Sequence, residues 1–91
     1  MFYMDKVIES AETYNLALAN WRRVPCVEHA ARVKYNKAYI DGITDISATL
    51  GTYLTFTYNE LGFITSVSNE GRGHKPIVAK VSGAISLGDR F

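Results

Sequence analysis

The chain has 91 residues, of which 47% are hydrophobic and 21% charged, and a formal net charge of +1. These values describe one folded domain over residues 1–91, too apolar for intrinsic disorder, too short for a second core and far from the strongly basic balance of most nucleic-acid-binding domains. The lone cysteine, Cys26, cannot form an internal disulfide, Met1–Lys6 has no basic or apolar leader pattern, and no run reaches the ~20 apolar residues of a membrane span, so the expected location is the cytoplasm, away from membranes.

Met4, Val7, Ala11, Tyr14, Leu18 and Trp21 recur every three or four residues and fall on one stripe of a helix. Asp5, Glu9 and Glu12 lie towards its start and Arg22 and Arg23 at its end, as the helix dipole favours. Pro25 cannot continue it, so the pattern predicts a first helix over 5–23. Pro25 can open a second helix, predicted over 26–40, with Val27, Ala31, Tyr35, Ala38 and Tyr39 on its apolar stripe. Residues 43–50 fit either a continuation of that helix or a strand.

The composition then turns to Thr, Ile, Tyr, Phe and Val. Residues 52–58 alternate Thr with bulky side chains, Asn59–Gly62 forms a connection, and 63–68 resumes the strand pattern; together they predict a hairpin. Residues 69–76 read as a polar, glycine-rich loop, 77–82 as a third strand and 84–87 as a brief fourth. The expected fold is therefore α+β, with two N-terminal helices packed on one face of a small antiparallel sheet of three to four strands.

No reactive constellation emerges. Cys26 near a helix start, with His29 three residues on, has the spacing of a nucleophile and base, but no third group is marked out to orient the imidazole. Cys26, His29 and a distant His74 are one short-spaced pair and one remote ligand, not the paired short spacings of a structural zinc site. Neither a catalytic residue, a metal nor a cofactor is expected.

Charge is segregated instead. Arg22, Arg23, Arg32, Lys34 and Lys37 make the first helix corner basic, and Arg72, His74 and Lys75 sit between glycine and proline in the later loop. Residues 41–70 carry Asp41, Asp45, Glu60 and Glu70 and no cation. The plain reading is that these blocks neutralise one another; the functional reading is a pair of faces that steer partners of opposite sign. Tyr53 lies on the opposite strand face from Phe56 and Tyr58, so at least one of these three aromatics is expected at the surface as an interface residue.

The function expected from this pattern is a non-enzymatic protein–protein interaction module. Short chains without reactive motifs are commonly inhibitors carried by phages and mobile elements and aimed at host proteins, anti-defence and anti-CRISPR proteins among them; the argument is one of class, not of resemblance. The alternative is a small nucleic-acid-binding module using the 22–37 and 72–75 basic residues. A homodimer formed through an aromatic face is a further possibility.

Overall fold

Helices α1 (Phe2–Arg23) and α2 (Val27–Thr49) form an antiparallel hairpin, followed by strands β1 (Thr52–Tyr58), β2 (Ile64–Gly71) and β3 (His74–Lys80). The structure is a computed structural model that describes residues 2–71 and 73–81, with the backbone alone for Phe2, Tyr3 and His74. Arg72 and residues 82–91, with the strand expected at 84–87, lie outside the described residues. The sheet is antiparallel in the order β1-β2-β3, so the fold is the expected α+β class, with three strands among the described residues.

The expected stripe of α1 is its core face. Met4, Val7, Ala11, Tyr14 and Leu18 are buried, while Trp21 keeps 37% of its surface exposed. The chain turns at Pro25, and Cys26, in extended backbone with φ −135° and ψ 168°, caps α2 without a side-chain hydrogen bond.

The second helix is longer than the 26–40 expectation, and it settles residues 43–50 as helix up to Thr49. It ends where Leu50 donates back to Ile46 and Ser47 and Gly51 takes φ 92°, a left-handed conformation suited to glycine. Its face also differs from the one expected. Ile40 and Ser47 are its buried residues, supported by partly buried Val33 and Ile43, whereas Val27, Ala31, Tyr35, Ala38 and Tyr39 point away from the core. Both sides of α2 carry apolar side chains, so periodicity alone did not identify the inner one.

The β1–β2 hairpin is as expected. Asn59 Oδ1 accepts from the N–H groups of Leu61 and Phe63, and Gly62 completes the turn at φ 91°. The polar segment 69–76 is not an open loop: β2 runs through Gly71, β3 begins at His74, and Gly71 pairs with His74 across a tight turn in which Gly73 has φ 81°. Pro76 sits in β3, the edge strand among the described residues, where its missing N–H is tolerated.

α1 lies over β2 and α2 over β1. Leu54, Phe63, Ile64 and Val67 meet Met4, Val7, Ala11, Tyr14 and Leu18 in one core. Within it Asn15 is fully buried, and its side chain closes two hydrogen bonds with one residue of β2. Nδ2 donates to the Ile64 carbonyl at 2.8 Å, and Oδ1 accepts from the Ile64 N–H at 2.7 Å. A second core asparagine, Asn69, opposes Leu54 and Ile77; its Nδ2 reaches only the Met4 sulfur at 3.6 Å, and its Oδ1 has no partner among the described residues.

The two asparagines give substitutions of opposite sign. Removing the Asn15 amide leaves a buried donor and acceptor unpaired, at about 1–3 kcal/mol each, so Asn15→Leu is expected to lower unfolding free energy by roughly 2–4 kcal/mol. Asn69→Leu removes an oxygen that is already unpaired and is expected to be neutral or stabilising by about 1 kcal/mol. Urea denaturation midpoints of the two variants, with exposed Thr13→Ala as control, check both signs.

Candidate interaction surface

Three surfaces stand out. The first is a cleft of about 480 Å³ between the helices, walled by Tyr14, Leu18 and Trp21 of α1 and Val33 of α2. Ala30 and Ala38 leave it open, because no long side chain fills the space, and Lys34, Lys37 and Asp41 form a charged rim. Tyr14 is held from outside the cleft by one aromatic contact. Tyr14 meets Tyr58 edge to face, with ring centroids 6.5 Å apart and planes at 85°. On the rim, Lys37 Nζ lies 3.2 Å from Asp41 Oδ1, an i,i+4 pair in which both side chains remain largely exposed.

That pair has an electrostatic signature. The hydrogen bond to Asp41 holds the Lys37 ammonium above the usual lysine pKa, against a smaller opposing effect of burial. Burial pushes the Tyr58 phenol up as well, with Lys37 opposing the shift.

The second surface is the outward face of α2. Val27, Tyr35, Tyr39, Ile46 and Leu50 are exposed along the whole helix, and from Tyr35 to Leu50 this line carries no charge. The third is a shallow hollow at the helix corner, lined by Asn20, Cys26, Glu28, His29 and Arg32. His29 Nδ1 is 2.8 Å from the Val24 carbonyl and donates to it, so the backbone orients the imidazole there. Cys26 and His29 thus share a hollow, but no hydrogen bond joins them. Among the described residues no three His, Cys, Asp or Glu side chains gather as metal ligands.

The expected charged sets are distributed among these places. Asp41 is on the cleft rim and Asp45 one turn further along α2. Glu60 is in the β1–β2 turn and Glu70 near the other end of β2, about 20 Å away at the usual strand rise. The four acids therefore do not share one small patch. Of the basic residues, Arg23 donates to Asn20 Oδ1 and Arg32 lines the same hollow as Asn20, so part of the basic corner is assembled. Arg22 turns the other way, over the Phe63 ring at 5.5 Å, and Lys34 and Lys37 belong to the cleft. Lys75 is exposed on β3; Arg72 and the His74 side chain lie outside the described residues.

Of the aromatic candidates, Tyr53 is exposed, Tyr58 is exposed beside the β1–β2 turn with its ring against Tyr14, and Phe56 packs against the core. Sequence reasoning did not find the cleft, because Tyr14 and Trp21 read as core and the alanines as helix formers. The signal was Trp21 at the last turn of its stripe, opposite small residues of the next helix.

The chain matches no protein-family model, no curated protein and no solved structure. Among the described residues no helix is long and apolar enough to cross a membrane.

The cleft chemistry has a pH consequence. Lys37 and Tyr58 both have raised values in the fold, so as pH climbs past about 10 their unfolded counterparts lose protons first. The stability they contribute is complete below that pH and declines as pH rises through the folded values. The urea midpoint is expected to be flat from about pH 7 to 9 and to fall above about 10, with a shallower fall in Tyr58→Phe.

Proposed function

We propose that the protein is a non-enzymatic interaction module that binds another protein by accepting an apolar side chain into the α1–α2 cleft. The observation that carries this reading is the cleft itself, an apolar hollow with the chain's one tryptophan on its wall and both signs of charge on its rim. Binding energy at protein interfaces concentrates in such pockets, where Trp and Tyr bury area at small entropic expense. The rim sets orientation, since a partner group beside the cleft meets Lys34 and Lys37 on one flank and Asp41 on the same helix. In this reading the chain acts in the cytoplasm by occupying a surface of its target, the mode of a small inhibitor of a host or defence protein.

A nucleic-acid module is the second reading, favoured by the approach of Arg23 and Arg32 to Asn20. The two separate experimentally. Ala30 is exposed at the cleft mouth, so Ala30→Arg fills the cleft without removing a core contact. In pull-downs from the native host lysate, the wild-type chain is expected to retain a protein that Ala30→Arg loses, at an unchanged melting temperature and after nuclease treatment. Equal retention by both chains rejects the cleft. A mobility shift with DNA or RNA whose affinity falls steeply with salt, and which Arg23→Ala/Arg32→Ala removes, supports the second reading.

A further inference from the structure

We infer that the outward face of α2 is the contact between two copies of this chain, paired antiparallel about a two-fold axis near Ile40 and Asp41. This surface adjoins the cleft and shares Ala38 and Lys34 with its edge, and the inference does not depend on the cleft's occupant.

The first argument is area. Val27 is 85% exposed, Tyr35 72%, Tyr39 55%, Ile46 62% and Leu50 74%, with exposed Ala31 and Ala38 between them. Leaving out Val27, which lies beyond the end of an antiparallel partner helix, the stripe offers on the order of 600 Å², at the low end of the ~600–1,000 Å² per partner of a standard interface.

The second argument is Gly42. It lies inside α2, where glycine is less favourable than alanine by about 0.5–1 kcal/mol. Its backbone is not in the left-handed region, and a Cβ built on it meets nothing within 4 Å. Nothing within the monomer therefore requires glycine, although it sits on the apolar line between Tyr39 and Ile46.

The third argument is charge. The first part of α2 carries Arg32, Lys34 and Lys37 against Glu28, and the second carries Asp41 and Asp45 without a cation. A parallel pair of such helices sets like charge on like. An antiparallel pair sets the basic half of each copy along the acidic half of the other.

These observations fix one register. In a two-fold antiparallel pair the numbers of opposed residues have a constant sum. With the axis between residues 40 and 41, Tyr39 lies over the partner's Gly42, Tyr35 meets the partner's Ile46, and Ala31 meets the partner's Leu50. Large side chains thus oppose small or aliphatic ones. Lys34 and the partner's Asp45 fall on one flank, offset by two residues, or about 3 Å along the axis.

Sedimentation equilibrium is expected to give a species of twice the 10.1 kDa chain mass at micromolar concentration. Gly42→Leu is expected to weaken association by at least ~10-fold, yet to melt no lower than wild type at sub-micromolar concentration, because the new side chain enters open space in a helix. Lys34→Glu and Asp45→Lys are each expected to weaken the dimer several-fold, and the double variant to restore it; these exposed positions keep the test valid should Gly42→Leu misfold. A wild-type chain that stays monomeric up to about 1 mM overturns the inference, as does a Gly42→Leu dimer of unchanged affinity. Failure of the charge swap to restore association overturns the antiparallel register.

Discussion

One side-chain amide joins the helical layer to the sheet. Asn15, midway along α1, gives and accepts a hydrogen bond at a single residue, Ile64, as a neighbouring strand would. Ile64 stands where β2 begins, beside the irregularity that separates the Thr57 and Tyr58 pairings, and the cross-strand ladder to β3 starts only further along. Without Asn15 those two peptide groups would be buried and unpaired, which is far less favourable than a bond exchanged for water. With it, α1 has one axial position over β2. That position carries Tyr14 to Tyr58 and Arg22 to Phe63, and brings Leu18 and Arg22 close to Gly62.

The cleft and the outer stripe of α2 follow from this docking. Because α1 is seated on the central strand, it takes most of the core, and α2 is left over β1 with only Ile40 and Ser47 buried. The far side of the sheet does not make up the difference. It presents mostly Thr55, Thr57, Ser66 and Ser68, with Tyr53 and Val78 exposed beside them. The longest continuous run of exposed apolar side chains among the described residues is therefore on α2, with Tyr53 and Val78 exposed on the sheet. Helices of 22 and 23 residues against strands of seven or eight also explain the 44 Å long axis.

Much of the fold was legible because its signals are local. The α1 stripe, the stop at Pro25, the alternation of β1 and the Asn59–Gly62 turn each depend on residues within a few positions of one another. The errors came where a local pattern had two meanings. Val27, Ala31, Tyr35, Ala38 and Tyr39 are periodic and apolar, yet so is the opposite side of α2, and only the sheet selects between them. Gly71 and Gly73 marked a turn, but the strands continue to its edge. Gly51 held usable information: a glycine two residues after Thr49 is a helix-end signal, and it favours helix over strand for 43–49. Asn15 left no such trace, since its partner is 49 residues away. The rim of the cleft was visible as the charges Lys34, Lys37 and Asp41, but their convergence with Tyr14 and Trp21 depends on how the two helices pack.

Asn15 and Asn69 show how the same side chain can define a structure or burden it. Both are buried in one small core, at 0% and 7% exposure. Asn15 meets a donor and an acceptor aligned on one residue, and so distinguishes the native docking of α1 from any slipped one, in which the amide would face apolar side chains. Asn69 sits on the core face between Leu54 and Ile77, with a thioether as its one described hydrogen-bond acceptor. The unpaired oxygen adds an unfavourable term of about 1–3 kcal/mol, a large fraction of the ~5–9 kcal/mol expected for a domain of this size. Gly42 and the exposed tyrosines of α2 belong with Asn69 rather than Asn15: a glycine is unfavourable within a helix and has no described neighbour that needs it, and Tyr35 and Tyr39 keep most of their surface exposed. The lock secures α1 against β2; Gly42 and the exposed tyrosines lie on the other helix, whereas Asn69 lies within the locked pair, against Met4, and its unpaired oxygen is tolerated there because the surrounding core holds.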